Sequence, residues 1–270
     1  MNIFIEASIG VGKSSLIKNL ELKFKDWKMS SAFFKEPVEL WEETKAGNLL
    51  LQFSKDPKKY AFATQTHIMT TMYQQRIPQM NADINIYERS FLSAKYVFQA
   101  ALQKEGYLNE FECLILDNLH ETLVRNMPVP DKILYLKVRP GVAYERTKMR
   151  NGPSDKSLTM NYFELLNQKH EEMIASVIES GKDVYVVNAE VEEQALAKDV
   201  AEWIEKEVNS IKEDEEEEEE AEEAEEAEEA EEAEEAEEAE EAEETEEAEE
   251  AEEEEEASAE EEEARTSEKD

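Results

Sequence analysis

The residues best suited to do chemistry lie near the start of the chain, in Asn2–Leu16, read NIFIEASIGVGKSSL. An apolar run (Ile3, Phe4, Ile5) gives way to a loop of small residues. The loop ends in Gly12-Lys13-Ser14-Ser15 and leads into the helical spacing of Leu16, Ile17 and Leu20. Strand, tight loop and helix N-terminus in this order form a phosphate-binding loop, in which backbone N–H groups and the positive end of the helix dipole converge on phosphate oxygens. Gly10, Val11, Gly12, Lys13, Ser14 and Ser15 are therefore expected to hold the phosphates of ATP. Lys13 would supply a mobile cation and the Ser14 hydroxyl a ligand for Mg²⁺. One departure is Ala7, which stands five residues before Gly12 where the full pattern has Gly. An Ala there disfavours positive φ. The competing reading is a chance Gly-Lys-Ser loop, and the placement between strand and helix speaks against it.

Two more polar clusters follow strand-like runs. Ser31–Lys35 (SAFFK) ends at Glu36-Pro37, and Asp83–Tyr87 (DINIY) ends at Glu88-Arg89-Ser90. A carboxylate at a strand end beside a phosphate loop can take a proton from an attacking hydroxyl. Taken alone, Glu36 reads as a capping or solvated side chain; for Glu88-Arg89 the competing reading is a local ion pair, and the position at a strand end favours a functional role over it.

These clusters need elements to position them. Strands are expected at Ile3–Ile5, Ser31–Lys35, Asp83–Tyr87, Lys132–Val138 and Asp183–Asn188. Helices are expected at Lys13–Phe24, Trp41–Phe53, Tyr60–Met80, Ser90 to about Lys104, Asn109–Met127, Pro140–Arg150, from the break at 151–155 to Ser180, and Glu192–Ile211. Five strands alternating with helices predict an α/β fold, a parallel sheet with helices on both faces. Ligands of such sheets bind at the carboxyl ends of the strands, where all three clusters lie.

Charge divides the chain in two. Of its 69 acidic and 29 basic residues, 213–270 hold 39 and 2, which leaves 30 and 27 in residues 1–212. The body is expected to fold as one domain, 1–212, with a low-complexity Glu-Glu-Ala tail at 213–270. Without i,i+4 ion pairs or an apolar stripe, the tail is expected to be disordered. It reads as a solubilising appendage or as an interaction tail for basic proteins. Its charge argues against nucleic acid as a ligand. The single Cys113 excludes an intrachain disulfide and suits a reducing, cytoplasmic setting. No signal peptide or membrane span is expected. His67, His120 and His170 lack metal-ligand spacing to Cys113.

Taken together, EASIGVGKSS, EPVELW (36–41), DPKKYAFATQ (56–65), ERSFLSAKYVF (88–98) and YERTKMR (144–150) resemble the deoxyribonucleoside kinase family over roughly Met1–Ile211. The resemblance implies a P-loop kinase fold and transfer of phosphate from ATP to the 5′-hydroxyl of a deoxyribonucleoside. Glu36 would be the base, Arg89 would steady the transferring group, and Glu88 with Ser14 would hold Mg²⁺. Trp41, Gln65 and Phe98 would form the base pocket, with Ile68, Met72 and Ala94 near the pyrimidine 5-position. The deoxycytidine-type enzymes carry an Arg/Asp pair at the positions of Met72 and Ala94, so the uncharged pair here points to thymidine or to broad pyrimidine preference. Arg146, Lys148 and Arg150 would form the lid over ATP, and Glu164 would bind the sugar 3′-hydroxyl. A homodimer and feedback inhibition by an end-product triphosphate are also implied.

The chain departs from the family at Ser54, where a Tyr is usual, at Thr64 before Gln65, and at Gly152, where a further lid Arg is usual. Two other readings remain at this level. A thymidylate-type monophosphate kinase shares the loop and lid plan but should carry extra cations where Glu36 stands. A non-catalytic P-loop-derived protein would work through its acidic tail.

Overall fold

The computed structural model describes residues 1–27, 29–76 and 82–213. The chain divides into two compact units, Met1–Glu205 and Lys206–Asp270. Of the second, only 206–213 are described, and they are helical. The expectation of a disordered tail falls on residues outside the described ones, as does the end of the helix expected to run to Met80.

Five strands form one parallel sheet in the order β2-β3-β1-β4-β5: β1 Asn2–Glu6, β2 Ser31–Phe34, β3 Ile84–Glu88, β4 Lys132–Lys137 and β5 Val184–Asn188. β1 and β3 are adjacent inner strands and almost wholly buried, with the apolar run Ile3–Ile5 in β1 and with Ile84, Ile86 and Tyr87 beside the buried polar Asn85 and Glu88 in β3. The edge strands β2 and β5 are more exposed. Register brings Phe4 and Phe34 to either side of Tyr87. Their rings stack on it at centroid distances of 4.4 and 4.5 Å. Each such pair adds roughly 0.5–1.5 kcal/mol beyond its burial.

The strand order explains where a ligand can enter. The chain leaves β1 towards β2 on one side, whereas each later crossover moves the other way. With right-handed crossovers, the connections after β1 and β3 then leave to opposite faces of the sheet. A crevice opens between the carboxyl ends of these two neighbouring strands. The phosphate loop follows β1, and Glu88-Arg89 ends β3.

The helices are α1 Lys13–Lys23, α2 Val38–Glu42, α3 Leu49–Lys55, α4 Pro57–Arg76, a composite α5 (Phe91–Ser93, Ala94–Gln99, Ala100–Lys104), α6 Glu110–Val124, α7 Pro140–Arg150 and α8 Met160–Glu179. A last helix starts at residue 193.

Two expectations are corrected. The helix expected at Trp41–Phe53 is two helices. Between them the Thr44 hydroxyl donates to the Gly47 carbonyl (2.7 Å), Gly47 takes φ +107°, and Asn48 caps α3 by accepting from Leu51 N–H. The helix after Ser90 is not regular, because Ala94–Gln99 is wound as a π-helix. One extra residue per turn re-aims the side chains on either side of it, a feature common beside functional sites.

Candidate active site

Helix α1 begins without a side-chain cap and without an acid in its first turn. Elsewhere Asn109 forms a full capping box for α6, and Thr159 caps α8. The uncapped N–H groups of α1 are thus left for an anion. Gly12, the residue before the helix, has φ +109°, a value that non-glycine residues rarely adopt. Gly10 (φ +74°) is required twice over. A Cβ there would lie 2.2 Å from Thr147 Oγ1 and 2.5 Å from the Ala143 carbonyl oxygen of α7. Gly10→Ala is therefore expected to push the loop off α7 and raise the KM for ATP about tenfold, as read from initial rates. Ala7 takes no positive φ. This departure from the loop pattern is accommodated without left-handed strain. The Ala7 carbonyl accepts from Lys13 Nζ at 3.4 Å and from Arg89 Nη1 at 3.0 Å.

The structure brings the polar clusters together. The Ser14 hydroxyl donates to one Glu88 carboxylate oxygen (2.7 Å), and the Glu36 backbone N–H donates to the other (3.2 Å). Arg89 Nε donates to Glu36 Oε1 at 2.6 Å, in a pair whose side chains are 5% and 15% exposed. Burial pushes the Glu36 carboxyl up, but Arg89 and Lys13 outweigh it and hold the carboxyl below the usual glutamate range. It is ionised at neutral pH, as a base must be. Lys13 Nζ rests on the carbonyls of Ser8 (3.1 Å) and Ala7. Burial, aided by the charge of Arg89, draws this ammonium down to about 8. The kcat/KM for ATP is accordingly expected to fall above pH 8 as Lys13 loses its proton. A pH profile with no alkaline limb between 7.5 and 9 would contradict this.

Beside the pair lies a cavity of about 450 Å³. Glu36 and Arg89 line one end, and Trp41, Gln65 and Phe98 line its body. Ile68, Met72 and Ala94 form a wall with no charged side chain. Trp41 is fixed by donating from Nε1 to Thr71 Oγ1 (2.8 Å). Phe98 lies 4.6 Å beneath the Arg89 guanidinium. The Gln65 side chain is buried but makes no hydrogen bond with any described residue, so both ends of its carboxamide remain for a ligand. Ser54 also lines the cavity, with its hydroxyl turned back to the Leu51 carbonyl (2.9 Å).

The expected lid residues are spread out. Arg146 donates to the carbonyls of Val11 (3.0 Å) and Ala189 (3.1 Å), tying α7 to the phosphate loop. Arg150 lines the cavity and is held through two nitrogens by Asp155 (2.9 and 2.7 Å). Lys148 points away, over the ring of Tyr144 at 4.5 Å. The expected sugar contact Glu164 is corrected. It is exposed on α8 and does not line the cavity, whereas Asp155 and Tyr162 do. Tyr162 sits on the side of α8 that packs inward, and two further positions along a 3.6-residue turn carry Glu164 well round the helix.

Sequence reasoning missed Asp155, Glu6 and Arg76. The buried Glu6 accepts from Ser90 N–H at 2.7 Å, and Arg76 supports the Glu88-Arg89 backbone. A charged residue that directly ends the apolar run Ile3–Ile5 was the available signal for Glu6. For Arg76, at the end of a helix where basic residues are ordinary, there was none.

A parallel sheet with an uncapped phosphate loop at its switch point, facing a buried carboxylate–arginine pair, defines a P-loop kinase fold. Its structural likeness to a solved deoxyadenosine kinase from M. mycoides, holding the products dCMP and a flexible dCDP, agrees. The TM-score is 0.66 at 22% identity, over 76% of this chain and all of that one. The family model for deoxynucleoside kinases matches residues 3–213, and the chain belongs to that family. Among its relatives are a probable deoxycytidine kinase of Fowlpox virus (strain NVSL), 32% identical over 176 residues covering 64% of this chain and 71% of that one. Human mitochondrial thymidine kinase 2 is 27% identical over 191 residues, 70% of each chain. The chain is a deoxynucleoside kinase that uses ATP.

Proposed function

We propose that this kinase transfers the γ-phosphoryl group of ATP to the 5′-hydroxyl of a pyrimidine deoxyribonucleoside, thymidine above all. The observation that carries the reading is the cavity beside the Glu36–Arg89 pair, with an unpartnered Gln65 carboxamide facing an uncharged wall. Glu36 takes the hydroxyl proton as the oxygen bonds to the γ-phosphorus. The bond from phosphorus to the β–γ bridging oxygen breaks, and ADP leaves. Arg89 and Lys13, with Arg146 and Arg150 from the lid, stabilise charge on the group in transfer. Ser14 and Glu88 place two oxygens 2.7 Å apart at the mouth of the phosphate loop, a donor set that suits Mg²⁺. Bound there, the ion would neutralise phosphate charge.

The base lies against Gln65 and between Trp41 and Phe98. Ile68, Met72 and Ala94 leave room for a methyl group on the pyrimidine 5-position and offer no charge to a cytosine amine. We assign the 3′-hydroxyl contact to Asp155, the carboxylate that the lid turns into the cavity. Arg150 must then share Asp155 with the sugar or exchange it for ATP phosphate.

For the wider assembly we infer a homodimer built on α6. Phe111, Leu114 and Ile115 stand 79, 57 and 52% exposed at helical spacing, a stripe that a second copy would cover. Sedimentation is expected to show a dimer that Ile115→Glu converts to monomer. An unchanged sedimentation coefficient would remove this face from consideration. The lone thiol is compatible with the cytoplasm as the site of action, and among the described residues no helix is long and apolar enough to cross a membrane.

The deciding experiment incubates the full chain with Mg-ATP and thymidine, deoxycytidine, deoxyadenosine or deoxyguanosine, with dTMP in parallel. Thymidine is expected to be turned over with the highest kcat/KM and deoxycytidine next. Preference for a purine would overturn the base assignment. Conversion of dTMP alone would make the acceptor a monophosphate. No turnover at all would remove the catalytic reading and direct attention to the acidic tail.

A further inference from the structure

The backbone that carries Glu88 and Arg89 does not rest in an ordinary conformation. Arg89 has φ +67°, in the left-handed region that a long side chain seldom enters. Something must hold it there. On one side the Arg89 N–H donates to the Ile5 carbonyl (2.9 Å), and the Ser90 N–H donates to the Glu6 carboxylate (2.7 Å). On the other side stands Arg76, the last residue of α4. Its Nη2 donates to the Glu88 carbonyl (2.9 Å) and to the Arg89 carbonyl (2.7 Å).

Arg76 is an unusual residue for this place. It is 1% exposed, its Nε and Nη1 have no hydrogen-bond partner, and it forms no ion pair among the described residues. The rings of Tyr87 and Phe91 flank the guanidinium at 5.5 and 5.7 Å. Burial draws the group down to about 10, so it remains charged at neutral pH. The nearby carboxylates of Glu36, Glu6 and Glu88 offset part of the cost of burying this cation, but none is bonded to it, and a Leu or Met would fill the same space without that cost. The contact that Arg76 makes and an apolar side chain cannot make is the pair of carbonyls.

We propose that Arg76 is the positioning residue of the Glu88-Arg89 turn, holding its two carbonyls from behind so that both side chains reach Ser14 and Glu36 in the cleft. This rests on the roles assigned above to Glu36 and Arg89. Without the clamp the turn relaxes from its left-handed conformation and the Arg89 fork leaves Glu36. A shift of about 1 Å in a reacting group is enough to cost on the order of 100-fold in rate. Arg76 itself does not line the main cavity and reaches it only through the backbone of Arg89. Its removal should therefore lower kcat and leave both KM values nearly alone.

The test compares Arg76→Met and Arg76→Lys with wild type, alongside Glu36→Gln and Arg89→Met, by steady-state kinetics and thermal denaturation. Arg76→Met is expected to keep its melting transition, lose about 10–100-fold in kcat and change each KM by less than about threefold. Arg76→Lys keeps the cation but not the fork and should lose about tenfold. An apolar cavity of about 260 Å³ adjoins Arg76 and gives a small cation access to the position. Methylguanidinium at millimolar concentration should restore part of the kcat of Arg76→Ala and none of that of Glu36→Gln.

The proposal is overturned if folded Arg76→Met keeps kcat within about threefold, or if its loss only follows the unfolded fraction. Should the Met variant not fold, wild-type kcat in Arg76→Lys overturns it equally. If Glu36→Gln and Arg89→Met retain activity, the reading of the site falls and the proposal with it. If they lose activity while the Arg76 variants do not, the proposal alone falls.

Discussion

Glu36→Gln is expected to lower kcat by about 10²–10⁴-fold, the range that a positioned general base contributes. The substitution keeps shape and volume and removes the capacity to take a proton together with the negative charge that faces Arg89. Its partner Arg89 retains a hydrogen-bond acceptor at the position now bonded at 2.6 Å, so the fold should survive. The KM for nucleoside should move little, because Gln65, Trp41 and the uncharged wall remain. In the wild type, the carboxyl held below the ordinary glutamate range by Arg89 and Lys13 should keep the rate level from neutrality down to the acid edge of stability. Rapid-mix measurement of the phosphoryl-transfer step would check both points. A kcat within tenfold of wild type would mean that another group receives the proton and that Glu36 serves only to hold Arg89.

Arg89→Met should be more damaging than loss of one phosphate contact would suggest. It leaves the Glu36 carboxylate in a buried place whose compensating charge has gone. Breaking a buried pair by removing one partner costs about 3–5 kcal/mol. The sign follows from burial, which already acts to raise the Glu36 pKa and is opposed chiefly by Arg89. Without Arg89 the pKa rises, so the base is protonated over a wider range and the acid limb of kcat/KM moves up towards neutrality. Activity should fall by about three orders of magnitude at pH 6 and recover in part at pH 8, as the buried pair and the general base both require. A loss equal at every pH would show that Arg89 acts on the transferring group alone and does not set the charge of Glu36.

Much of this arrangement is legible in the residues. The phosphate loop, Glu36-Pro37 and Glu88-Arg89-Ser90 each sit where an apolar strand stops, because strand period and small-residue breaks are local signals. The apolar run Ile3–Ile5 marks β1 as a strand covered on both faces. Pro140–Arg150 is found with the expected boundaries, since Pro at its first turn and Asn151 at φ +52° mark its two ends. The break at 44–47 was also written locally, in Gly47 and the capping Asn48, but the apolar spacing on either side masks it.

What the residues by themselves determined is the parallel α/β plan, the phosphate loop and the family to which the chain belongs, all of which follow from short-range pattern and order along the chain. Tertiary structure alone decided that Asp155 and not Glu164 faces the cavity, that Lys148 turns from it to Tyr144, and that Glu6 and Arg76 grip the backbone behind Glu88-Arg89. Each of these depends on the phase at which a helix packs or on contacts between segments as far as 84 residues apart. The direction of a side chain is set by what its element packs against, and spacing along one element does not encode that.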